Sequence, residues 1–185
     1  MRLKAPLAVV CLFAAISINA TAARILPPAC GDDAVKFKVS VQKGMLQIPP
    51  PSPGKAAVVL IENMNKHGVM GAAASTRFGI DGAWVGANKG NSYFVVEVDP
   101  GAHQVCANWQ AESAIGNRVG VIAINAVAGQ TYYFEAAILE VAVNTGPPGA
   151  PGRVGTQENF NFVRLNQQQA QNRLQMSGLS NFTSK

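Results

Sequence analysis

Residues 91–109, NSYFVVEVDPGAHQVCANW, decide the fold class. From Asn91 to Val98 the side chains alternate. Phe94, Val96 and Val98 share one face; Tyr93, Val95 and Glu97 share the other. A period of two, rich in β-branched and aromatic residues, marks a strand. Asp99-Pro100-Gly101 then supplies a turn, because proline fixes φ and glycine tolerates positive φ. Residues 102–109 are predicted to return as the hairpin partner.

The same signals extend in both directions. Residues 35–42, VKFKVSVQ, alternate strictly and predict a strand with one wet face. Residues 56–63, AAVVLIEN, are apolar on both faces and predict a central strand. Residues 76–80 and 83–87 flank Asp81-Gly82, the favoured pair for a type I′ hairpin turn. Strands are also predicted over 119–127, over 130–142 (with Tyr132, Tyr133 and Phe134) and over 160–165. Pro49-Pro50-Pro51-Ser52-Pro53-Gly54 is stiff and poor in donors, so it predicts a crossing between strands. GPPGAPGRVG at 146–155 contains three G-X-Y triplets, too few for a triple helix, and predicts a surface loop. Asn166 is a suitable N-cap for an amphipathic helix over 167–176, with Gly178 closing it.

Closely spaced short strands with turn residues between them predict an antiparallel β-sandwich, immunoglobulin- or transthyretin-like, of seven to nine strands. Its span is 35–166, after an N-terminal segment at 23–34 and before a C-terminal helix and tail at 167–185. Strand–helix alternation is missing, which excludes Rossmann and TIM-barrel architectures. With 185 residues, 48% hydrophobic and 14% charged, the chain fits one domain and is too apolar for disorder.

Residues 1–22 read as a secretory signal peptide: basic Arg2 and Lys4, a short apolar run, then Ala20-Thr21-Ala22 as an A-x-A cleavage site. The cut is predicted after Ala22, before Ala23, with Ala20 and Ala23 as neighbouring alternatives. The apolar run is shorter than the roughly 20 residues of a spanning helix, and no later stretch is long enough either. Removing Arg2 and Lys4 lowers the formal charge from +5 to +3. The remaining charges are scattered, without the basic stripe of a nucleic-acid binder. Cleavage also removes Cys11. That leaves Cys30 and Cys106 as an even pair in an exported chain, which predicts a disulfide.

Candidate chemistry is sparse. His67 and His103 are the two histidines, and HExxH, GxSxG, Walker A and GxGxxG motifs are all missing. Neither a catalytic residue, a cofactor nor a metal site is predicted. Glu97 and Glu135 are placed on strands where they could be neighbours, as glycosidase carboxylates are. Trp84, Tyr93, His103, Trp109 and Tyr133 form the candidate binding surface, since exposed aromatics stack on sugars or anchor protein partners.

Several motifs in order carry a family resemblance: Pro53-Gly54-Lys55-Ala56, Asp81-Gly82-x-x-Val85-Gly86, Asn91-Ser92-Tyr93-Phe94, Asp99-Pro100-Gly101-x-His103-x-x-Cys106 and Ala128-Gly129-x-x-Tyr132-Tyr133-Phe134. Over residues 30–142 the chain resembles domain of unknown function 2846, a family of small bacterial envelope or secreted proteins. The resemblance implies a bacterial source and an extracytoplasmic β-sandwich, and brings no catalytic residues. Members often carry a lipid-anchored cysteine, from which this chain departs. The expectation is a periplasmic or secreted, non-enzymatic module that binds an envelope component or partner protein. A hydrolase using His103 with a loop carboxylate, and a purely structural envelope component, are the alternatives.

Overall fold

Asp81 and Gly82 hold φ of 51° and 89°, and Ile80 pairs with Ala83 across them, as the type I′ reading requires. Outward from that turn, the computed structural model describes residues 26–44, 47–64, 75–110, 118–144, 146–147, 152 and 154–185. The leader with its cut near Ala22 and Ala23, His67, and most of the 146–155 loop lie outside the described residues.

The strands are β1 Phe37–Gln42, β2 Ala56–Asn63, β3 Ser75–Ile80, β4 Ala83–Lys89, β5 Asn91–Val98, β6 Gly101–Trp109, β7 Val119–Ala126, β8 Thr131–Asn144, β9 Val154–Leu165 and β10 Gly178–Ser184. Helix α1, Gln167–Leu174, lies between β9 and β10. They form two sheets, ordered β1-β10-β5-β2-β8-β9 and β4-β3-β6-β7. The architecture is an all-β sandwich with a C-terminal helix. The four-stranded sheet is antiparallel throughout, while β10–β5 and β2–β8 are parallel pairs in the larger one.

Three expectations change. First, residues 91–109 do not make a hairpin. β5 pairs with β2 and β10, whereas β6 pairs with β3 and β7, so Asp99-Pro100 carries the chain from one sheet to the other. Alternation reports at least one buried face for each strand and not which strand lies alongside. Phe94 and Val98 of β5 meet Val105 and Ala107 of β6 within the core. Second, Gly178 does not close the helix. Gln175 caps it, and Gly178 opens a tenth strand among the described residues. Third, β9 begins at Val154, within the expected loop, and pairs with β8 from Tyr133↔Leu165 to Asn144↔Val154.

The core between the sheets holds Val58, Leu60, Phe78, Phe94, Val105 and Phe134. Fully burying each large apolar side chain contributes roughly 1.5–3 kcal/mol. Phe182 of β10 closes one side, 4.9 Å from the Phe94 ring and 5.9 Å from that of Phe37. It lies so close to β4 that a Cβ on Gly86 would stand 2.4 Å from the ring.

The outer face of the four-stranded sheet is covered by residues 26–36. Cys30 and Cys106 form the disulfide, with Cα atoms 5.3 Å apart across a sequence separation of 76. Beside it Arg77, 1% exposed, uses all its N–H groups. Nε donates to Asn108 Oδ1 at 2.9 Å, Nη1 to the carbonyls of Asp33 at 3.0 Å and Val35 at 2.5 Å, and Nη2 to Asn108 Oδ1 at 2.8 Å. Nη2 also makes a short ion pair with Asp33 Oδ1.

Candidate functional site

The five residues of the expected binding surface are dispersed. Trp84 sits on the outer face of the four-stranded sheet. Its Nε1 donates to the Asp32 carbonyl at 2.7 Å, and the Arg77 guanidinium lies 4.5 Å from its ring centre. Trp109, at the end of β6, stacks with Arg118 at 3.9 Å and packs against the cluster of Met64 and Ile138. Tyr93 is 1% exposed and belongs to the core beneath α1, so it is not a surface residue. Tyr133 is half-buried on the outer face of the six-stranded sheet. These aromatics make no single patch, because β4, β5, β6 and β8 present them on different faces of the sandwich.

His103 is held on both ring nitrogens. Nδ1 lies 2.6 Å from Asp81 Oδ2 and Nε2 lies 2.7 Å from the Asp99 carbonyl oxygen. An ionised carboxylate and a carbonyl only accept, so the ring that suits both is the doubly protonated one. The Asp81 hydrogen bond, then the Asp99 carbonyl, raise the imidazole above its ordinary value of 6.5. Asp81 also accepts the Gln104 N–H at 2.8 Å, and this bond and the one to His103 outweigh desolvation and lower its carboxyl. The arrangement ties two turns together. To act as a base, His103 would first have to give up one of these bonds.

Glu97 and Glu135 are not neighbours. Glu97 pairs in register with Ala57, and Glu135 with Ile61, four residues further along β2. Glu97 is exposed and accepts the Ser52 N–H at 2.6 Å. Glu135 is buried and takes Arg173 Nε at 2.6 Å and Asn63 Nδ2 at 2.8 Å. It serves to anchor α1 on the sheet.

Between the sheets, Glu62 is fully buried and accepts the Thr76 N–H at 3.0 Å. Burial pushes its carboxyl well above the ordinary value of 4.5, although the Thr76 N–H bond and the backbone N–H of nearby Gly90 oppose the shift. Among the described residues, Glu62 Oε1 and Thr76 Oγ1 have no hydrogen-bond partner.

One concave feature runs along α1, and another of about 460 Å³, lined by Lys43, Lys89 and Asn91 among others, meets it at Gln175. Asn166 and Gln169 cap the helix reciprocally, each side chain accepting the other's backbone N–H at 2.9 Å. Ala170 and Leu174 bury against Val59, Ile61, Tyr93 and Leu165. Opposite the helix, the segment just before the proline-rich crossing brings Ile48 onto the same apolar cluster. A trough of about 460 Å³ remains between them, lined by Gln47, Ile48, Tyr133, Gln167, Gln171, Leu174 and Gln175. It continues past Tyr133 and Gln167 into a second hollow of about 310 Å³, whose walls include Gln130, Thr131, Arg164 and Asn166. Ligand sites typically occupy roughly 300–1,000 Å³.

The glutamines of this segment divide by role. Gln169 caps the helix and Gln168 Nε2 donates to Asn172 Oδ1 at 3.4 Å. Gln167, Gln171 and Gln175 recur at i, i+4 and i+8, which places them along one stripe of the helix. Among the described residues, these three amides and that of Gln47 have no side-chain hydrogen bond, and neither has the Tyr133 hydroxyl. Burial raises the Tyr133 hydroxyl above its ordinary value of 10, so it stays a neutral donor and acceptor. The adjacent Tyr132 differs, since its hydroxyl donates to the Asn125 carbonyl at 3.1 Å and accepts the Val127 N–H at 3.0 Å. Among the described lining residues none is acidic, and Arg164 is the single cation.

Sequence reasoning reached Tyr133 by its exposure on a strand, and missed the glutamines. Their four-residue spacing on a predicted helix was the available signal. Among the described residues, no group of three or more His, Cys, Asp or Glu is arranged to hold a metal ion, and no helix is long and apolar enough to cross a membrane. No family model, curated protein or solved structure matches this chain.

Proposed function

We propose that this chain is an exported, non-enzymatic β-sandwich module that binds an envelope component through the trough along α1. The observation that carries the reading is the stripe of unpartnered amides at Gln167, Gln171 and Gln175 facing the free hydroxyl of Tyr133. Exposed amides on a surface helix are common. Amides in register over a concave, half-apolar floor are the composition of a binding site.

Export draws support from two features. The basic, apolar and small-residue pattern of residues 1–22 is that of a cleaved leader. The Cys30–Cys106 bond suits an oxidising compartment, periplasmic or extracellular. The resemblance to domain of unknown function 2846 points the same way. The engagement of both His103 nitrogens favours a binding role over a hydrolase.

A photoreactive residue placed at exposed Asn172, next to the trough on α1 and outside its lining, and separately at exposed Ala123 on β7, tests the reading in the producing cells. A discrete envelope adduct at position 172 and none at 123 is expected. Equal labelling at both sites, or none at 172, overturns the binding of an envelope component.

A further inference from the structure

We infer that the trough takes a neutral, polyhydroxylated ligand: an uncharged oligosaccharide. This deepens the proposed function and rests on the trough being its ligand site.

A sugar hydroxyl donates one hydrogen bond and accepts others, and vicinal hydroxyls present these in pairs. A glutamine amide offers the matching set, a carbonyl that accepts and an NH₂ that donates. Gln167 and Gln171 stand one helical turn apart, about 6 Å along the axis. The amides can therefore meet successive hydroxyls of a ligand lying along α1. Tyr133 adds a hydroxyl and an aromatic body, suited to the mixed apolar and polar faces of a pyranose. Ile48 and Leu174 complete an apolar floor.

Other ligand classes fit less well. An anionic ligand would call for several cations, and the trough and its extension hold Arg164 alone, whose guanidinium lies 4.9 Å from the Tyr132 ring centre. A cationic ligand would call for carboxylates, which the described lining lacks. A wholly apolar ligand would strand the amides without water, at about 1–3 kcal/mol for each polar group left unsatisfied.

Calorimetric titration of the purified full chain with cellohexaose and with chitohexaose tests this, at 50 mM and 500 mM NaCl. Saturable binding to at least one of them is expected, with a dissociation constant that changes less than about twofold between the two salts. Gln171→Ala and Tyr133→Ala should each weaken it by about tenfold, the size expected for one lost hydrogen-bonding group. Both side chains lie outside the main core, and a circular dichroism melt confirms that each variant folds. Three results overturn the proposal: no heat with either sugar, binding that both substitutions leave unchanged, or binding that weakens tenfold or more at the higher salt. Failure here with an adduct at position 172 in cells overturns the glycan assignment alone. Sugar binding without that adduct supports the glycan chemistry and overturns the envelope reading.

Discussion

Arg77→Met removes the guanidinium and keeps most of the apolar stem. In the native protein all five N–H groups of Arg77 are used, on four acceptor atoms. The carbonyls of Asp33 and Val35 lie near the surface, and water can replace the lost donors there. The Asp33 carboxylate has a side chain 30% exposed, so it loses a charge-assisted bond of about 1.5–3 kcal/mol, partly offset by solvation. Asn108 is 4% exposed, so stranding its Oδ1 costs about 1–3 kcal/mol. Together these give about 3–5 kcal/mol, the range found when one partner of a buried ion pair is removed. With a urea dependence of about 2 kcal/mol per molar, the midpoint should fall by about 2 M under oxidising conditions. Hydrogen exchange should also quicken across residues 26–36, which Arg77 holds down. Arg77→Lys should be intermediate, since an ammonium has three donors and no planar fork. A loss below about 1 kcal/mol, with exchange at 26–36 unchanged, would refute the reasoning.

Three further outcomes follow from other buried or paired groups. His103 has a raised folded value, so its contribution to stability is complete below about 6.5 and declines as pH rises through the folded value; urea midpoints from pH 6 to 9 should fall more steeply for the native protein than for His103→Gln. Glu62 is also raised, so stability is greatest below 4.5 and declines as its carboxyl is forced to ionise; Glu62→Gln should gain stability relative to the native chain at pH 8 and lose that advantage at pH 4. Cys30→Ser opens a loop of 76 residues and should cost about 4–5 kcal/mol by chain entropy, and two free thiols by non-reducing mass spectrometry of the exported protein would contradict the bond itself.

Periodicity exposed the strands because each has at least one buried face. Phe94, Val96 and Val98 recur at every second position whatever lies beside them, so β5 could be read but its neighbours could not. The predicted hairpin failed at Pro100, where turn chemistry serves equally for a return within a sheet and for a step between sheets. β10 was missed because GLSNFTS is weakly apolar and stands at the chain end; its identity as a strand depends on β1 and on Phe182 filling the gap beside Phe94. Arg77 and Glu62 were similarly hidden. Each occupies a strand position where a charge reads as solvent-facing, and only their partners, Asn108 and Asp33 for one and Thr76 for the other, make burial tolerable. The trough was only partly legible. Tyr133 stood out as an aromatic on a predicted strand, opposite the face of Phe134, while its companions come from the segment before the proline-rich crossing and from a helix, which meet only in the folded chain.

The central claim is that the amide trough, rather than the His103 cluster, receives the ligand. Side-chain amide signals in a nitrogen-15 correlation spectrum test it directly as chitohexaose and, in a second titration, cellohexaose are added, with a response expected to at least one of the two. The account predicts that the signals of Gln167, Gln171 and Gln175 move together along one saturable curve while that of Gln104, beside His103, stays fixed. Stationary trough amides with both sugars, or movement confined to Gln104, would contradict it.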